Sequence, residues 1–191
     1  MTRRVAAEAY REGLPALAAS LVGGLLAGVV LSGMRGDLAA VDGLLVLVPA
    51  LLATRGNVYG SLGARIATAL HQGLLEPRIG AADDRLLRAV AAAIANGLLA
   101  SAFAAVVTVA ALTGLGADHA GLPGLLAIAL VSGILSGVAL SATVVVFDVA
   151  GIRRGYNPDA LVGPLVTTAG DVFGMAALLV AVRLAVSSGV V

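Results

Sequence analysis

One carboxylate, Asp171, lies inside a stretch that is otherwise apolar from Leu161 to Val182. A charge in hydrocarbon is expensive, and such residues mark ion pathways, relays or buried pairs. On a helix, Thr167 and Thr168 precede Asp171 by four and three residues and share its face. Pro164 lies a turn further back, where its missing N–H deprives the carbonyl of Ala160 of its helical partner. Carboxylate, hydroxyls and a freed carbonyl then line one side. All are hard oxygen donors, suited to ions such as Mg²⁺ and Ca²⁺ and unsuited to soft metals. A second stretch, P-A-L-L-A-T-R-G-N-V-Y-G from Pro49 to Gly60, repeats the theme. Its Gly56-Asn57-Val58-Tyr59-Gly60 aligns with Gly170-Asp171-Val172-Phe173-Gly174, and Pro49 answers Pro164 one residue out of register. The likeness fits an internal repeat or chance.

The elements that must position these residues follow from composition. Of 191 residues, 60% are hydrophobic and 12% charged, with mean hydropathy +1.04. A soluble domain carries roughly twice that charge, so the class is an all-α integral membrane protein. There is no cysteine, which excludes disulfides and thiolate metal sites. The net charge of +1 gives no reason to expect nucleic acid. Polar or turn-rich breaks at Ser32–Gly43, His71–Arg85, Gly114–Pro123 and Gly151–Asp159 leave intervals able to hold the ~20 residues that cross a bilayer. Five spans result: Leu14–Leu31, Leu44–Leu70, Leu86–Leu112, Leu125–Ala150 and Leu161–Ser187. They make residues 13–191 one transmembrane domain behind a short N-terminal segment, 1–12. Several exceed the minimum, so tilted or broken helices are expected. With the N-terminus inside, the cytoplasmic segments hold Arg3, Arg4, Arg11, Arg78, Arg85, Arg88, Arg153 and Arg154, whereas the outer loops hold Arg35. That bias predicts N-in and C-out.

In this arrangement spans two and five run in opposite directions and bring the two motifs to similar depth. Paired Gly/Pro-interrupted spans of opposite sense point to a transport site. Asn57 is either a ligand there or an inter-helix hydrogen-bonding group. Arg55 is awkward beside a divalent ion; it sits about 200° around the helix from Asn57 and needs an acidic or carbonyl partner. One of Thr167 and Thr168 is expected to bond back to its own helix. Arg65 and Asp148, near the inner ends of spans two and four, read as a structural pair. Ser132, Gly133, Ser136, Gly137 and Ser141 form a small-residue packing face.

The stretch from Pro49 to Gly73, P-A-L-L-A-T-R-G-N-V-Y-G-S-L-G-A-R-I-A-T-A-L-H-Q-G, resembles the signature of the MgtE-type magnesium transporters. It is closer still to their eukaryotic solute-carrier relatives, with their P-A-L-L-G-x-x-G-N and S-R-x-S-T elements. N-P-D-A-L-V-G-P-L-V-T-T-A-G-D-V-F-G, from Asn157 to Gly174, is similar to that family's N-P-D-N…P…T…G-D segment. The resemblance implies Mg²⁺ transport through a pore between five-span units, built from the second and fifth helices. Two such units share one polypeptide in the eukaryotic relatives; one unit per chain implies a homodimer in the cell membrane. Departures are Ala160 in place of Asn, Ala64 in place of Ser, and the dozen residues before the first span, where MgtE proteins carry regulatory domains.

Three function classes follow. A divalent-cation channel or transporter, with Mg²⁺ as the transported ion, uses Asp171, Asn57, Thr167 and Thr168 as ligands. Pro49, Gly56, Gly60, Pro164, Gly170 and Gly174 then shape the pathway. A secondary transporter of another cation or a Na⁺-coupled solute needs more polar cavity lining than these spans offer. A membrane enzyme needs acids and histidines clustered near one interface, whereas the membrane-embedded acids here are few and scattered, and a scaffold subunit has no need of Asp171 at mid-depth.

Overall fold

The computed structural model describes the backbone of residues 2–78, 83–153 and 158–191, and side chains there except those of 2–9, 11–12, 15–16, 158–163 and 165. Asn157 of the N-P-D segment and Arg154 lie outside the described residues, as does the side chain of Ala160. The elements are all helical: α1 (Thr2–Gly33), α2 (Arg35–Ala40), α3 (Leu44–His71), α4 (Asp84–Gly114), α5 (Gly121–Arg153) and α6 (Pro158–Ser187).

Among the described residues four helices are long and apolar enough to cross a membrane: α3, α4, α5 and Val166–Ser187 of α6. In α1 the apolar stretch among the described residues is shorter, Leu17–Gly33. The helix itself is continuous from Thr2, so it runs through the boundary expected between a separate N-terminal segment and the first span. The 28 to 33 residues of α3 to α6 make helices about 42 to 50 Å long at 1.5 Å per residue. The expectation of broken helices is corrected in one respect. Pro49 and Pro164 both lie inside continuous helices, because a proline removes a single backbone bond and the surrounding packing holds the rest of the ladder. The short α2 occupies a stretch that reads as loop from sequence, and Arg183 of α6 lies 3.6 Å from its Asp37.

Contacts fix the directions. Gly23 and Ser20 of α1 meet Thr168 and Pro164 of α6, and Asp37 meets Arg183, so α1 and α6 run parallel. Arg55 meets Ser132, and Tyr59 meets Gly137, so α3 and α5 run parallel to each other. Gly124 at the start of α5 abuts Val191 beyond the end of α6, which makes that pair antiparallel. Gly133 lies against Leu98 and Ser101 of α4, and Gly137 against Ile94, so α4 is antiparallel to α5. The small-residue face of α5 is thus the packing surface its spacing indicates: a Cβ at Gly133 sits 3.1 Å from Leu98 Cδ2, and one at Gly137 overlaps the Tyr59 hydroxyl. Gly43, with φ of +86°, makes the tight entry to α3, where a Cβ meets Leu112 Cδ1 at 2.8 Å.

Two apolar clusters fill the bundle. One joins Leu44, Leu47, Leu51, Leu125, Ile128 and Leu178. The other joins Tyr59, Leu62, Ile66, Leu140, Val144 and Val166. Between them lies a polar waist: Arg55 on α3, Ser132 and Ser136 on α5, and Gly170 to Gly174 on α6.

Candidate functional site

The waist is built around Arg55. Its side chain is buried, and an unpaired guanidinium out of water is costly unless its donors are used. Nη1 donates to the Gly174 carbonyl at 3.0 Å, and Nη2 donates to Ser132 Oγ at 2.7 Å. One side chain therefore ties α3 to both α5 and α6. The carbonyl partner that the sequence calls for is Gly174; the serine on α5 was not legible as a partner. Gly174 is also what lets the guanidinium in. A Cβ there would stand 2.8 Å from Leu52 Cδ2 and 3.0 Å from Nη1.

This tie sets the register of α3 against α6. Asn57 lies two residues past Arg55, and Asp171 lies three residues before Gly174 on the oppositely directed helix. At 1.5 Å per residue both sit on the same side of the clamp, about 3 and 4.5 Å from its level. Asn57 is exposed and Asp171 half-buried, and neither makes a hydrogen bond or ion pair among the described residues. The expected match in level is therefore present, with both polar groups open. Arg55 points inward while Asn57 points outward, as their angular separation requires.

Thr168 Oγ1 lies 2.7 Å from the Pro164 carbonyl oxygen and 2.9 Å from Ser20 Oγ of α1, and Ser20 in turn donates to that carbonyl at 3.2 Å. Its methyl fills the space left by Gly23. Thr168 thus bonds back to its own helix, and its hydroxyl is committed to the α1–α6 seam. Thr167 is exposed. Among the motif glycines only Gly174 is closely approached; a Cβ at Gly56, Gly60 or Gly170 meets nothing within 4 Å.

The pairing of Arg65 with Asp148 is not formed. Asp148 is fully buried on α5, and neither carboxylate oxygen has a hydrogen-bond partner among the described residues. Arg65 is exposed on α3 and lines a cavity of about 60 Å³ with Ser61 and Asn96, toward α4. In the register that Arg55–Ser132 and Tyr59–Gly137 set between α3 and α5, Asp148 lies five to six residues past the level of Arg65, and Arg65 faces α4 instead. Among the described residues no three His, Cys, Asp or Glu side chains come together, so one chain brings a single open carboxylate to the waist.

A family model, MgtE, described as a divalent cation transporter, matches residues 48–181, more than two thirds of the chain. The chain belongs to the MgtE family of divalent cation transporters. No curated protein gives a significant match. The MgtE match takes in α4 and α5 and most of α3 and α6, and so contains Arg55, Asn57, Ser132, Asp171 and Gly174. This MgtE chain is accordingly a multi-pass membrane protein of a transporter family, with its open polar groups on the two helices that Arg55 joins.

Proposed function

We propose that this MgtE chain moves Mg²⁺ across the cell membrane through a pathway between two copies of the chain. In this reading α3 and α6 line the pathway, the N-terminus is cytoplasmic and the C-terminus outside. Asp171 is the counter-charge for the ion, and the Asn57 amide, Thr167 and nearby carbonyls are its polar contacts. The observation that carries the reading is the matched level of Asp171 and Asn57, both open and without a partner among the described residues. Open polar groups in hydrocarbon are costly and face a water-filled path or a protein partner.

The stoichiometry supports two copies. Mg²⁺ binds oxygen in octahedral geometry and dehydrates reluctantly, so it keeps several waters where carboxylates are few. One Asp171 per chain fits a largely hydrated ion on a two-fold axis, where a second copy supplies the second carboxylate. Such a site discriminates modestly against Mn²⁺ and Co²⁺, because selection rests on outer contacts and spacing.

The test is ion flux into proteoliposomes for Mg²⁺, Ca²⁺, Mn²⁺ and Na⁺, wild type against Asp171→Ala. The expected result is divalent flux in wild type and its loss in the variant. Undiminished Mg²⁺ flux in a folded variant places the pathway elsewhere, and Na⁺ flux without divalent flux refutes the substrate.

A further inference from the structure

We propose that Arg55 limits how tightly the pathway holds its ion, and so sets turnover: it is a fixed counterweight to Asp171 rather than only a helix clamp. The inference rests on the reading that Asp171 is the ion's counter-charge.

Three observations carry it. First, the guanidinium is pinned, 3% exposed, with Nη1 on the Gly174 carbonyl and Nη2 on Ser132 Oγ. Second, its partners are neutral. Arg55 forms no ion pair among the described residues, and its Nε has no hydrogen-bond partner. Tyr59, one turn along α3, presents a hydroxyl that is likewise unpartnered. The positive charge is therefore not cancelled where it sits. Third, the clamp grips the backbone three residues from Asp171, within a helical turn along the axis.

A site with one carboxylate per chain and a fixed cation a turn away holds a divalent ion less tightly than the carboxylate alone. At an effective dielectric of about 20 and a separation of about 10 Å, the repulsion between a unit charge and a divalent ion changes affinity by roughly two hundredfold before screening by water and salt. Conduction needs this balance, since an ion must bind well enough to enter and weakly enough to leave. The same hydrogen bond occupies the Gly174 carbonyl, which directs the ion's contacts toward Asp171 and Asn57. Neutral partners are essential to the device, because an acidic partner would cancel its field.

The experiment uses the full chain, with Mg²⁺ affinity measured by Mg²⁺-dependent thermal stabilisation and by titration calorimetry, and maximal Mg²⁺ flux measured in proteoliposomes. Arg55→Gln removes the charge and keeps a donor toward Gly174. Ser132→Asp leaves Arg55 in place and cancels its charge from the Nη2 side. Both are expected to bind Mg²⁺ at least about tenfold more tightly, the Coulomb term reduced by screening, and to carry it more slowly at saturation. Arg55→Lys keeps the charge but reaches only one of the two partners, so it is expected to lower thermal stability without the gain in Mg²⁺ affinity. A purely structural role moves affinity and flux down together, without this split. Unchanged or weakened affinity in folded Arg55→Gln or Ser132→Asp overturns the proposal, as does Arg55→Lys behaving like Arg55→Gln. If Arg55→Gln does not fold, Ser132→Asp decides alone. Asp171→Asn separates the two readings: if it loses Mg²⁺ binding while the Arg55 variants show no split, only the counterweight fails. If it binds and carries Mg²⁺ as wild type does, the Asp171 site fails and the counterweight with it.

Discussion

The two motifs Gly56–Gly60 and Gly170–Gly174 share a pattern of glycine, Asn or Asp, valine, aromatic and glycine, yet the fold treats them differently. On α3 the aromatic faces inward. Tyr59 is buried, wedged between Gly97 of α4 and Gly137 of α5, and Arg55 one turn earlier is buried beside it. On α6 the aromatic faces outward, with Phe173 exposed, while Gly170 and Gly174 are buried and Gly174 gives its carbonyl to the clamp. The α3 motif anchors with side chains and the α6 motif with backbone. What they keep in common is the open polar residue between them, Asn57 on one helix and Asp171 on the other. Similar residues at similar spacing thus share an open polar position and not the packing of its neighbours.

Four substitutions test this contrast. The largest effect is expected at Tyr59→Ala, which empties a filled notch between three helices and should lower stability by about 3–5 kcal/mol; Gly97 and Gly137 leave nothing that could close the gap. Thermal or denaturant unfolding in detergent measures it, and a loss below about 1 kcal/mol breaks the claim that the α3 motif is the anchor. Next comes Asp171→Asn, which keeps size and hydrogen bonding but removes the charge. Mg²⁺ at ~100 times its dissociation constant should stabilise wild type by about 2.7 kcal/mol, and the variant should lose that increment while remaining folded. Adding Asn57→Asp to that variant should return part of the increment, because both residues lie on one side of the clamp at nearly one level. A double variant no better than Asp171→Asn alone reduces Asn57 to an inter-helix hydrogen-bonding role. Phe173→Ala should do least, within about 0.5 kcal/mol, as an exposed position predicts; a large loss there means that the face bearing Phe173 is covered.

Much of this was legible from residue order. The apolar runs and breaks give the helices, and the residue count between Arg55 and Asn57 gives opposite faces without coordinates. The packing face of α5 follows from small residues at helical spacing. The family resemblance rests on two short stretches and is met by a match running from 48 to 181. What sequence could not supply is which helix lies against which face. Ser132 as partner to Arg55 is 77 positions away, and Ser20 as partner to Thr168 is 148 away. No local rule links such residues. Arg65 and Asp148 fail as a pair for the same reason: the register and the rotation of one helix against another are settled by packing, not by counting along either. Ser20 and Gly23, spaced by three on α1, were the available hint of a close helix contact there.

The clamp also has a dimension in time. Arg55 closes its bonds on Ser132 and Gly174, which follow it by 77 and 119 residues. At 5–20 residues per second a ribosome needs about 4 to 24 s to make those partners. During that interval α3, the least apolar of the four spanning helices, holds an arginine whose insertion at mid-membrane costs about 2.5–3.5 kcal/mol. The helix therefore reaches the bilayer before it has the contacts that make it comfortable there. In a truncation series, α3 should integrate poorly when synthesis stops before α5, better once Ser132 has emerged, and fully after Gly174. Arg55→Leu should erase that dependence, making a late-formed tertiary contact visible as an early step in the protein's birth.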